Sequence, residues 1–157
     1  MKLLRVGKKG NEKPAILDTE GKIRDISSHI NDLNPENLNF ETFSKIQSAD
    51  LSKLPELSSN ERVGSCITSP GKFVAIGLNY SDHAAEVGAE IPKEPIMFMK
   101  ATSSICGPND DIEIVSGSKK LDWEVELGIV IGKETKHITE NQSQDHILGY
   151  CLVNDVS

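Results

Sequence analysis

The sequence predicts a mainly β protein with minor helix content, of the α+β kind. Short apolar stretches recur along the chain, each bounded by Gly, Asn, Ser or Pro clusters, which is the pattern of strands and turns. The longest of these, residues 121–132 (LDWEVELGIVIG), alternates with a period of two. Helical periodicity is confined to brief segments, such as the one carrying Phe40, Phe43, Ile46 and Leu51.

Residues 3–7, 15–18 and 23–26 are expected as three short strands of a meander. Lys8-Lys9-Gly10-Asn11 and Thr19-Glu20-Gly21-Lys22 turn the chain between them. Ser27 or Ser28 can cap a short helix through His29, Ile30 and Leu33, and Asn34-Pro35 interrupts it before a second helix from Phe40. Residues 49–70 turn polar, with Pro55, Gly64 and Ser69-Pro70, and read as a connection. The expected organisation is thus a small N-terminal β/α module with its linker, 1–69, followed by a second domain, 70–157.

In that second part, residues 73–78 (FVAIGL) read as a buried strand, followed by a helix with Ser81 or Asp82 at its N-cap. His83 and Glu86 then fall three residues apart on one side of the helix. A carboxylate beside an imidazole raises its basicity and orients it, as a water-activating base requires, although a surface His–Glu pair is the ordinary reading. The two prolines of 91–95 exclude regular structure there, and 95–100 resumes a strand that ends at Lys100. Residues 101–111 form a hydroxyl-rich loop, 112–115 a further short strand, 142–148 a helical turn or two, and 149–155 a last strand.

The 121–132 strand has two faces. Leu121, Trp123, Val125, Leu127, Ile129 and Ile131 share one, while Asp122, Glu124 and Glu126 share the other, which turns small and apolar at Gly128, Val130 and Gly132. Residues two apart in a strand are about 6.6 Å apart. Two carboxylates at that distance repel by about 0.6 kcal/mol in water and about 2.5 kcal/mol at an effective dielectric near 20. A solvated face accounts for such a pair, and so does a site for Mg²⁺, Mn²⁺ or Ca²⁺, whose hard charge draws carboxylate oxygens together. The strand alone does not choose between them.

A net charge of −7 with no basic stripe argues against nucleic acid as a partner. The N-terminus has neither the apolar core nor the cleavage site of a signal peptide, and no run approaches a membrane span. Three widely spaced cysteines, Cys66, Cys106 and Cys151, make neither a disulfide framework nor a zinc pattern, so reduced thiols in the cytoplasm are expected.

Three segments taken together, 77–86 (GLNYSDHAAE), 121–133 (LDWEVELGIVIGK) and 149–157 (GYCLVNDVS), resemble the fumarylacetoacetate hydrolase family. The resemblance extends to the intervening MFMKATSSICGPND and the opening MKLLRVGKKGNEKPAILD, and so covers essentially the whole chain. It points to the bacterial branch with a small N-terminal module, described variously as diketo-sugar-acid hydrolases, ureidoglycolate lyases or hydroxyheptadienedioate isomerases. The fold it implies is that module followed by the first part of a mixed β-sandwich roll. It implies Glu124, Glu126 and Asp155 as ligands of Mg²⁺ (or Mn²⁺ or Ca²⁺), and His83 with Glu86 as the water-activating pair. Lys100 would lie near the substrate, a small 2-oxo acid, and the full-length protein would be a homodimer. The implied reaction is hydrolysis of a C–C bond in a 2,4-diketo acid; the alternatives are isomerisation, decarboxylation or lysis on the same metal, or an inactive remnant. Relatives continue for a comparable length beyond the Asn-Asp-Val-Ser segment, whereas Ser157 stands two residues past Asp155. The expectation is therefore a fragment of a longer protein, incomplete in its catalytic domain.

Overall fold

A computed structural model describes all residues from Met1 to Ser157. Its regular structure is mostly strand, in agreement with the predicted class. The N-terminal residues build a four-stranded antiparallel sheet in the order β1 (Lys2–Val6), β2 (Lys13–Leu17), β3 (Ile23–Asp25) and β4 (Glu56–Leu57). The first three strands are those expected from the sequence. The fourth lies inside the stretch read as a connection, because two residues are too few to show a period.

The core of this part forms where Ile16 and Ile26 of the sheet region meet Ile30, Leu33 and Ile46. Ile46 comes from α1 (Phe40–Gln47), which starts where the Asn39 side chain accepts a hydrogen bond from the Thr42 N–H. The expected helix through His29 is instead a short turn, with the Ile30 N–H bonded to the Ile26 carbonyl. The apolar period beyond α1 ends in a 3₁₀ turn at Leu51–Lys53 rather than a longer helix.

A chain of alternating charges ties this module together. Arg5, 7 % exposed, reaches Asp32 at 2.6 Å and Glu12 at 3.3 Å. Glu12 also takes Arg62 at 2.7 Å, and Arg62 in turn forks onto Asp110, with its Nε at 2.6 Å. Each charge is thereby paired and hydrogen-bonded, which a largely buried ion requires. The Arg62 segment runs along β1, with the Gly7 N–H on the Arg62 carbonyl and the Gly64 N–H on the Arg5 carbonyl.

By contacts the chain divides into two compact units. One comprises Met1–Thr68 with Cys106–Ser157, and the other Ser69–Ile105. The division expected from the sequence, 1–69 and 70–157, differs in where it puts residues 106–157. Among their ties to the N-terminal residues are the Arg62–Asp110 fork, the Lys133 ammonium over the Phe40 ring and the close approach of Gly107 to Val63. A Cβ on Gly107 would meet the Val63 carbonyl oxygen at 2.6 Å. The expected strand at 112–115 does not form. Its Ile112, Ile114 and Val115 are exposed, with no ladder beside them.

The first unit also holds an antiparallel pair, β7 (Val125–Ile131) and β8 (Ile147–Asn154). A 3₁₀ turn at Glu140–His146, closed by a reciprocal Thr139–Gln142 cap, leads into β8. The second unit contains β5 (Val74–Gly77) paired with β6 (Ile96–Met99), and between them α2 (Ser81–Glu86). No helix is long and apolar enough to cross a membrane.

Candidate metal centre

The β7–β8 register explains how three distant carboxylates meet. Val125 lies opposite Asn154 and Glu126 opposite Val153. The same pairing continues past the strand ends, with the Asp155 N–H on the Glu124 carbonyl at 2.8 Å and Asp122 and Ser157 bonded reciprocally. Glu124 therefore sits across from Asp155, and residues directly opposite in an antiparallel pair share a face. Glu126, two residues on, shares it as well. One carboxylate oxygen from each of Glu124, Glu126 and Asp155 lies within 4.8 Å of the others, and all three side chains are half-buried. Ligands of a single Mg²⁺ stand at most about 4.2 Å apart and those of Ca²⁺ about 5 Å, so this hard, all-oxygen donor set fits one divalent cation.

The opposite face of the pair is apolar and open, as the period of two predicts. Val125, Leu127, Ile129 and Ile131 of β7 and Tyr150 and Leu152 of β8 all point outward, and Trp123 is 72 % exposed. On the carboxylate side the residues diminish to Gly128, opposite Cys151. A Cβ there would meet the Cys151 Sγ at 2.7 Å, so glycine makes the room that the thiol fills.

His83, Glu86 and Lys100 belong to the second unit. The helix that carries the first two starts at Ser81, with Tyr80 as its N-cap and no side-chain cap bond; neither Ser81 nor Asp82 plays the capping part expected of it. Asp82 instead accepts from the His83 N–H at 2.9 Å. His83 Nδ1 stands 3.9 Å from a Glu86 carboxylate oxygen, and both side chains are exposed. Lys100 follows β6, its N–H bonded to the Phe73 carbonyl and its ammonium 5.6 Å from the centre of the Phe98 ring. An open hollow of about 470 Å³ at the start of α2 is lined by Leu78, Asn79, Ser81, Ile91, Lys93 and Glu94, among others.

One contact escaped the sequence reading. Cys66 and Cys151 influence each other's ionisation, which pushes the Cys66 thiol up and draws the Cys151 thiol down, and all three cysteines are free. With 84 residues between them no spacing could pair them; a glycine in the middle of a strand was the available signal.

Comparison with known proteins bears on this arrangement. A family model described as fumarylacetoacetate (FAA) hydrolase C-terminal matches residues 72–157. A protein of Burkholderia lata, provisionally named a hydrolase, is 54% identical over all 157 residues, which make up 56% of its length. Among solved structures, the fumarylacetoacetate hydrolase of Exiguobacterium antarcticum superposes with a TM-score of 0.81 at 30% identity, covering 100% of this chain and 56% of that one. A structure named as a probable 2-hydroxyhepta-2,4-diene-1,7-dioate isomerase, from Mycobacterium abscessus, gives 0.75 at 29% identity, with 100% and 52% covered. The chain thus spans about half the length of the relatives it matches.

Proposed function

The chain belongs to the fumarylacetoacetate hydrolase family, and from that premise we propose that its protein is a divalent-metal-dependent hydrolase of a C–C bond in a 2,4-diketo acid. The observation that carries this reading is the convergence of Glu124, Glu126 and Asp155 within 4.8 Å. Those three side chains would hold Mg²⁺, Mn²⁺ or Ca²⁺ with oxygen ligands alone, leaving positions for the carboxylate and 2-oxo oxygens of a substrate. A cation held there would supply the positive charge that stabilises an enolate. His83, with Glu86 beside it, takes the part the family resemblance implies, removing a proton from water that attacks the 4-carbonyl. The neighbouring carboxylate stabilises the imidazolium so formed and holds the ring in one orientation. Lys100, a fixed cation, would neutralise a charged group of the substrate. A homodimer, implied by the same resemblance, is part of this proposal.

Isomerisation needs the same enolate stabilisation, and one solved relative is named as an isomerase. Hydrolysis is preferred because a His–Glu pair suits proton removal from water. The test uses protein expressed from its complete reading frame. Mg²⁺ or Mn²⁺ titrated by calorimetry should bind at one site per chain, and Glu124→Gln should weaken that binding severely. Acylpyruvates should give pyruvate and a carboxylic acid. Unchanged metal affinity in Glu124→Gln removes the metal assignment, and conversion of such substrates into isomers without cleavage removes the hydrolase reading.

A further inference from the structure

Resting on the metal reading above, we propose that Asn154 is a positioning residue of that centre: its side chain holds Glu124 against Asp155 and so favours Mg²⁺ over Ca²⁺. Two of the three carboxylates stand outside the regular strands. β7 begins at Val125 and β8 ends at Asn154, so Glu124 and Asp155 each lie one residue beyond, while Glu126 sits within the ladder opposite Val153. The ends of a strand open more readily than its middle, because fewer bonds hold each residue. Glu124 therefore needs a fastening of its own if its carboxylate is to stay beside that of Asp155.

Both backbone groups of Glu124 are fastened to the β8 side. Its carbonyl accepts from the Asp155 N–H at 2.8 Å. Its N–H donates to the side-chain oxygen of Asn154 at 3.1 Å. Asn154 is exposed and lies opposite Val125, so it belongs to the outer face of the pair and not among the carboxylates. Its amide thus acts on the backbone of a ligand residue without being a ligand itself. An aliphatic side chain like those of Leu152 and Val153 offers no oxygen to that N–H. The ion that gains most from such fastening is the stricter one. Mg²⁺ demands a near-ideal octahedron at about 2.0–2.1 Å, whereas Ca²⁺ accepts oxygens at about 2.3–2.6 Å in flexible geometry. A loosened Glu124 can still serve Ca²⁺, but it must be ordered again before it serves Mg²⁺.

The test uses protein from the complete reading frame, stripped of metal and titrated by calorimetry with Mg²⁺ and, separately, with Ca²⁺. Asn154→Ala should lose about tenfold in Mg²⁺ affinity, the scale on which groups that support a ligand act, and about threefold or less in Ca²⁺ affinity. Asn154→Asp keeps an oxygen at the same reach and should keep the parental ratio of the two affinities. Its added charge attracts both divalent ions alike and cancels from that ratio. A general loosening of the fold would likewise move both affinities together. An unchanged ratio in Asn154→Ala would therefore overturn the proposal, and so would an aspartate variant that shifts the ratio as far as alanine does. In the metal-free parent, hydrogen exchange followed by NMR should show the Glu124 amide slowed at least about tenfold relative to an unstructured peptide. Exchange at the unstructured rate overturns the proposal whether or not the variants fold. A parent that binds neither ion removes the metal assignment and the role of Asn154 together. A parent that binds Mg²⁺ no better than Asn154→Ala does removes the role of Asn154 alone.

Discussion

Asp110 shows how far one carboxylate can be moved by what it touches. The Arg62 fork, reinforced by the Gly107 N–H, holds its carboxyl down to about 2, from an ordinary value of 3.8. The group is depressed in the folded chain, so the stability it contributes is fully present above pH 3.8. It is lost as pH falls from there through about 2. Acid unfolding followed by circular dichroism should therefore be shallower between pH 4 and 2 in Asp110→Asn than in the parent, with the variant less stable at neutral pH. His83 supports a second expectation. Its imidazole suits a hard, oxygen-preferring ion poorly, so His83→Ala should leave calorimetric metal binding intact while lowering kcat by about 10²–10⁴-fold. Loss of metal in that variant would make His83 a ligand. The sequence was uneven at this scale. Glu124 and Glu126 show their common face through the period of two, whereas Asp155 enters only through the resemblance, because the pairing that puts it opposite Glu124 spans 31 residues. The Arg5–Glu12–Arg62–Asp110 chain left no sequence signal, since isolated charges scattered over a chain look like ordinary surface.

Strands with enough residues to alternate were legible, and those that depend on a partner were not. β7 was recognised because one face is wholly apolar. β4 is too short to have a period, and 112–115 has strand-like composition but nothing to pair with in this chain. Propensity alone does not make a strand; the ladder does. The β7–β8 pair makes its own prediction at Gly128. An added methyl there would approach the Cys151 Sγ at 2.7 Å and a Val153 methyl at 2.8 Å. Gly128→Ala should destabilise the protein by about 1–3 kcal/mol in urea unfolding. Combining it with Cys151→Ala should recover part of that loss, giving a coupling between the two positions. Simple additivity of the two substitutions would show that the thiol does not occupy the space assigned to it.

At the scale of the molecule, the outward face of β7–β8 is an energetic liability. Leu152 is 81 % exposed and Trp123 72 %. Each large side chain left in water forgoes about 1.5–3 kcal/mol, against a typical total stability of about 5–15 kcal/mol. Residues 1–157 produced alone should bind an apolar dye such as ANS, associate, and show no turnover of acylpyruvates with Mg²⁺. A sharp thermal transition together with hydrolysis would contradict that. The contact of Gly107 with Val63 and Gly64 has a consequence of another kind. Residues 69–105 form their own compact unit, and the backbone departs and returns within a few residues of that contact. In evolutionary terms this is a permissive graft point. The ends are held together by the host, and the closure entropy of whatever is spliced between them grows only slowly with its length. For the framework that receives it the length of the insert is nearly free, and only the chemistry the insert carries fixes what it must contain.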